Sequence, residues 1–237
     1  MAVTDSIPPT TGLGDAGTPQ WFRFGGGARR SYSVEIFQLR ENGINSPAQA
    51  TLGAAFNNTS GTVAVPFDDF SFADPTGGDF NPPSIRRYSI RDLAASGPVF
   101  LKIISSLNFE TGDTQTFRIR VLDTTLVGTR VSTNGYDTFV ALHNSGDYGV
   151  SIAIHFYNEA GTFIGTKASS IGARGSAQIR YAQGDPTYGG LRGSIEVTHD
   201  GAPGSIVGQI YWYNSATQTF GPQLPLQESR SWGRGAY

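Results

Sequence analysis

A chain of 237 residues with a formal net charge of -2 has no Lys/Arg run longer than the pairs Arg29-Arg30 and Arg86-Arg87, which excludes nucleic acid and anionic membrane as principal partners. It contains no cysteine, so disulfides, thiolate nucleophiles and cysteine-ligated zinc are excluded and stability must come from packing and strand pairing. With 38% hydrophobic and 12% aromatic residues it is too apolar for disorder, and no apolar run is long enough for membrane insertion.

Residues 1–17 are a Pro/Thr/Gly/Asp arm with too little apolar content for a core. The arm lacks the basic start and apolar stretch of a secretory signal, so the chain is either cytosolic or begins after a removed signal. Residues 21–24 (WFRF) and 32–39 (YSVEIFQL), separated by Gly25, Gly26 and Gly27, predict a hairpin. Between 40 and 98, residues 62–67 (TVAVPF) and 88–90 read as strands. Pro47, Pro66, Pro75, Pro82, Pro83 and Pro98 interrupt the rest, as expected of long loops over a sandwich. Residues 99–107 (VFLKIISSL) and 116–122 (TFRIRVL) predict a closing hairpin turned at 110–113, followed by a link over 123–132.

From Tyr136 onward the cadence is clearest. Residues 138–143, 151–158, 163–168, 177–182, 193–199 and 206–214 alternate apolar and polar side chains. The turns at 144–147, 158–161 and 200–201 supply Asn, Asp and Gly where positive φ is needed. No segment has helical periodicity. The expectation is an all-β protein of two antiparallel β-sandwich domains in tandem, jelly-roll-like or Ig-like. The arm would cover 1–17, the domains 18–125 and 126–225, and a C-terminal tail 226–237.

The segments WFRF at 21–24, YSVE at 32–35 and, about eighty residues later, TFRIRV at 116–121 together resemble the bacterial pre-peptidase C-terminal domain family. The second half, with FVALHNSG at 139–146, IAIHFYNEAG at 152–161 and GSIEVTHDG at 193–201, resembles β-sandwich domains at the ends of bacterial secreted proteins and the sensory rhodopsin transducer family. The first resemblance implies a calcium-associated jelly-roll module. Together they imply an extracellular accessory or structural role and carry no catalytic residues over.

Individual residues add candidates. Asp68, Asp69, Asp74 and Asp79 lie in the loop-rich segment 67–80, whose two readings are a solvated loop and a calcium site, since calcium takes six to eight oxygens in flexible geometry. No other cofactor is required. Phe67, Phe70, Phe72, Phe80 and Tyr88 read as a sandwich cover or as a ligand groove. Tyr211, Trp212 and Tyr213 place rings on both faces of one strand. An outward ring there suits a neighbouring protein subunit or a surface glycan, and the third reading is ordinary core or surface placement. Trp232 does the same for the tail.

His143, His155 and His199 form no HExxH or similar ligand pair, and His155 reads as a surface or half-buried strand residue. No serine sits in a GxSxG elbow, and Glu35, Glu110, Glu159 and Glu196 cannot be paired from sequence for glycoside hydrolysis. Overlapping sequons at 57–60 read as a polar turn.

The expected function is that of a non-enzymatic, extracellular or cell-surface bacterial protein acting in adhesion or as a binding module. The alternative is a structural subunit of a filament, shell or viral particle, assembled through terminal arms and edge strands.

Overall fold

The computed structural model describes residues 19–41, 44–45, 50–57, 62–69, 85–105, 115–130, 135–182, 185, 188 and 192–229. The expected arm, the 110–113 turn, Asp74, Asp79 and Trp232 lie outside them. Among the described residues the regular structure is entirely β-strand, and the chain divides into two compact units between Asp123 and Thr124.

Among its described residues the first unit holds eight strands: β1 (Gln20–Gly26), β2 (Tyr32–Glu41), β3 (Ile44–Asn45), β4 (Ala50–Phe56), β5 (Asp68–Asp69), β6 (Ile85–Ile90), β7 (Gly97–Ser105) and β8 (Gln115–Asp123). One antiparallel sheet runs β1-β7-β4. The other is centred on β2, with β8 on one side, β6 and then β5 on the other, and β3 pairing the end of β2. Strand alternation sends Phe24, Leu101 and Ile103 inward from one sheet and Val34, Ile36, Tyr88 and Ile90 inward from the other, into a single buried cluster. Each such aliphatic side chain contributes about 1.5–3 kcal/mol by leaving water.

Two sequence expectations change here. β1 and β2 are not a hairpin, and neither are β7 and β8; each pair is split between the two sheets. Alternation marks a segment as a strand but is silent about its partner. Gly26 is explained by packing rather than by a hairpin turn: a Cβ there would collide with Leu93 and Val99. Residues 62–67 form no strand: Ala64 makes an isolated antiparallel bridge to Phe56, with the Asn57 amide donating to the Val63 carbonyl and the Val65 amide to the Ala55 carbonyl, both at 2.8 Å.

The second unit holds β9 (Leu126–Arg130), β10 (Asp137–Asn144), β11 (Val150–Asn158), β12 (Phe163–Ile171), β13 (Ser176–Tyr181), β14 (Gly193–His199), β15 (Ile206–Asn214), β16 (Thr219–Pro225) and β17 (Gln227–Glu228). Its sheets run β12-β11-β14-β9-β17 and β13-β10-β15-β16, all antiparallel, over a second core that includes Val140, Leu142, Ile152, Ile154, Val197 and Ile210. Among its described residues only β11-β12 and β15-β16 pair with their sequence neighbour.

Of the three expected turns, 158–161 therefore closes a hairpin, while 144–147 and 200–201 carry the chain between sheets. The chemistry of each fits its role. Asn158 Oδ1 accepts from the Thr162 amide at 2.8 Å, and Gly161 adopts φ 76°. The Asn144 amide instead donates to the carbonyls of Tyr148 (2.7 Å) and Gly172 (3.1 Å), and its Oδ1 accepts from the Gly146 amide, tying a corner between sheets.

Candidate ligand-binding surface

In the four-stranded sheet of the second unit, Val140 and Leu142 of β10 and Ile210 and Trp212 of β15 point into the core. By alternation Phe139, Ala141 and His143 point outward, and so do Gln209, Tyr211 and Tyr213. Trp212, one of the sequence-derived candidates, is 3% exposed and packs in the core of the second unit. Tyr211 and Tyr213 stay at the surface because each lies one residue from it, on the opposite face of the strand.

Cross-strand register then assembles an aromatic strip. Phe139 lies directly opposite Tyr211, with ring centroids 5.0 Å apart and planes at 4°. Tyr211 and Tyr213 both meet Phe220 of β16, at 6.1 and 4.9 Å, and Phe220 is 65% exposed. Beside the strip, Arg180 donates to Asp137 Oδ2 through Nε (2.9 Å) and Nη2 (2.6 Å), spanning β13 and β10.

The strip borders a trough of about 450 Å³ whose floor is Ala141. Gln178 and Gln209, the cross-strand partners of Ala141 on either side, flank it with their amides. At the far end His143 Nδ1 lies 3.0 Å from Ser176 Oγ, next to the half-exposed Val207. A surface of this kind offers donors and acceptors without net charge, next to flat apolar faces. That combination matches a ligand with both hydroxyl groups and C–H faces.

The remaining candidates are dispersed. Asp68 and Asp69 are both exposed on β5, and as consecutive strand residues they point to opposite faces. Among the described residues no three His, Asp or Glu side chains cluster as a metal site. Phe67 packs edge-on against Tyr88 at 5.7 Å, and Tyr88 is 1% exposed, so this pair covers core rather than lining a groove; Phe70, Phe72 and Phe80 lie outside the described residues.

His155 is fully buried, contrary to the expected surface or half-buried position. Its Nδ1 lies 2.8 Å from Thr166 Oγ1 and its Nε2 3.2 Å from Thr198 Oγ1. His199 is also buried, and burial lowers its pKa to about 4, with backbone hydrogen bonds to Thr124 and Gly201 pulling the other way. Glu35 is held by Arg87 and Arg120 on the outward face of the first unit's larger sheet. Glu196 accepts from the Tyr157 hydroxyl at 2.9 Å.

Nothing in the sequence alone marks Phe139, Phe220, Gln178 or Gln209 as a group. Parity of Phe139 against Val140 and Leu142 carries part of the signal, but the register that unites the residues is tertiary. Compared with known proteins, the chain matches no family model and no curated protein.

Proposed function

We propose that the protein is a non-enzymatic binding module of the bacterial exterior, acting in adhesion, and that the outer face of the β13-β10-β15-β16 sheet binds a neutral surface glycan. The observation that carries this reading is the contiguous strip of Phe139, Tyr211, Tyr213 and Phe220 alongside a trough flanked by uncharged amides. Sugar rings present C–H faces to such rings and hydroxyls to such amides. The resemblances to pre-peptidase C-terminal modules and to domains of secreted proteins support the extracellular placement.

Titration of neutral oligosaccharides, chosen from a glycan screen, tests it. Tyr211→Ala and Phe139→Ala are each expected to weaken binding about tenfold or more, the order of one lost stacking contact in a cooperating pair. Absence of any glycan ligand, or unchanged affinity in both variants, overturns the reading.

The second reading, a subunit of a filament, shell or viral particle, is favoured by β12. Among the described residues this strand ends its sheet, and it carries five consecutive exposed residues, 166–170. A free strand edge is a template for another chain.

A further inference from the structure

The three-stranded sheet of the first unit sends Phe24, Leu101 and Ile103 into the core, so alternation sends Trp21 and Arg23 of β1 and Phe100, Lys102 and Ile104 of β7 to the opposite face. Register assembles them. Trp21 lies directly across from Lys102, while Phe100 lies between Arg23 of β1 and Phe56 of β4. The Trp21 and Phe56 rings are 6.0 Å apart between centroids, and the Lys102 ammonium lies 6.0 Å from the Trp21 ring centroid. Trp21 is 50% exposed, which leaves a large apolar ring half in water.

The charge on this sheet has one sign. β1, β4 and β7 contain no Asp or Glu, whereas the opposing sheet of the same unit carries Glu35, Asp68, Asp69 and Asp123 in its strands. Arg30, Arg87, Arg120, Arg174 and Arg180 each meet a carboxylate. Among the described residues Arg23 and Lys102 form no ion pair. As diagonal cross-strand neighbours they stand about 7–8 Å apart, within reach of a shared anion for two long side chains.

Shape narrows the class of that anion. The face is an open sheet surface about 10 Å across three strands and about 20 Å along β7, which would leave a small anion mostly in water and suits a chain spread over several residues. Two cations would raise attachment to an anionic bilayer only about thirtyfold. An acidic peptide would bring backbone donors, for which Arg, Lys and hydrocarbon offer no acceptor. Sugar rings instead set a C–H face on an aromatic ring and keep their hydroxyls in water.

We propose that the outer face of the β1-β7-β4 sheet binds an acidic polysaccharide, with a sugar carboxylate between Arg23 and Lys102 and neighbouring sugar rings over Trp21 and Phe100. The site lies in the first unit and selects for charge, so it does not rest on neutral-glycan binding by the second unit and stands if that binding fails.

The test is calorimetric titration of the full chain with oligomers of galacturonate, of mannuronate and of hyaluronate. Methyl-esterified galacturonate oligomers, which keep the ring faces and lose the charge, are run beside them. Saturable binding of at least one acidic series is expected, with a shift of the Trp21 indole NMR signal and weaker affinity as salt rises. Replacing both cations, Arg23→Gln with Lys102→Gln, should weaken binding about thirtyfold and Trp21→Ala about tenfold, while Tyr211→Ala in the second unit leaves it unchanged. No binding of any acidic series, equal affinity for the methyl ester, or unchanged affinity in the double variant would each overturn the proposal. So would loss of binding in Tyr211→Ala, or tighter association with phosphatidylglycerol vesicles than with the acidic oligomers. If the double variant does not fold, Lys102→Gln decides alone: unchanged affinity in that variant refutes the site.

Discussion

Glu35 shows how a charge can sit on a strand at 1% exposure. Its direct cross-strand neighbours on both sides are arginines, with Arg87 Nε 3.0 Å from Oε1 and Arg120 on Oε2. The side chains of those arginines are 30% and 41% exposed, so solvent shares in stabilising them. Glu35→Gln is therefore expected to cost about 2 kcal/mol in urea unfolding, below the full penalty of a broken buried pair. Arg87→Met should cost less, because Arg120 still holds the carboxylate.

His199 gives the unit a pH dependence of known sign. Its folded pKa of about 4 lies below its ordinary 6.5, so between these values the unfolded chain binds a proton that the folded chain refuses. Stability from this residue is complete above 6.5, falls as the pH drops towards 4, and falls no further below that. The total loss is at most about 3 kcal/mol. Denaturation midpoints measured from pH 7 to 4 should show this slope, and it should flatten in His199→Gln. Neither effect was legible in the residue itself: both depend on which neighbours the fold delivers.

At the scale of the element, β15 illustrates what alternation can reveal. Tyr211, Trp212 and Tyr213 require two opposite directions from sequence parity alone. That Trp212 is the inward one follows from its companions Ile206 and Ile210, which share its parity and its burial. Strands with weak alternation were not legible: β4 (ATLGAAF) is built largely from small residues, and β9 (LVGTR) is five residues long and reads as a linker.

The glycines of two elements separate strain from crowding. At Gly161, φ is 76° and none of the described residues comes within 4 Å of where a Cβ would sit, so Gly161→Ala should cost about 1 kcal/mol from backbone strain alone. At Gly208 a Cβ would run into Leu142, Leu226 and the Ala141 carbonyl, so Gly208→Ala should cost more, about 1–3 kcal/mol, through overpacking. Thermal melts of the two variants check the order.

At the scale of the whole molecule, the two functional readings differ in mass rather than in local structure. Light scattering over a concentration series, with and without calcium, is expected to give a constant monomer mass for a binding module. Growth of the mass with concentration would favour the particle subunit, with β12 as the first edge to block, for example by Ser170→Lys, an exposed position on that strand.

The all-β class, most strand positions in the second unit and the hairpin at 158–161 follow from side-chain alternation and turn chemistry, which act within a few residues and are therefore written along the chain. Sheet membership follows from neither. The Gly25 to Gly27 stretch and the corner at Asn144 pass between sheets, because what selects a strand's partner is the core on which both must close. The same physics governs the surface: Phe139 and Phe220 are separated by some eighty residues of chain, and the register of β10, β15 and β16 places both beside Tyr211. The placement of Arg23 diagonal to Lys102, beside Trp21, is likewise a consequence of how β1 registers on β7, a property of the packed sandwich and of no single segment within it.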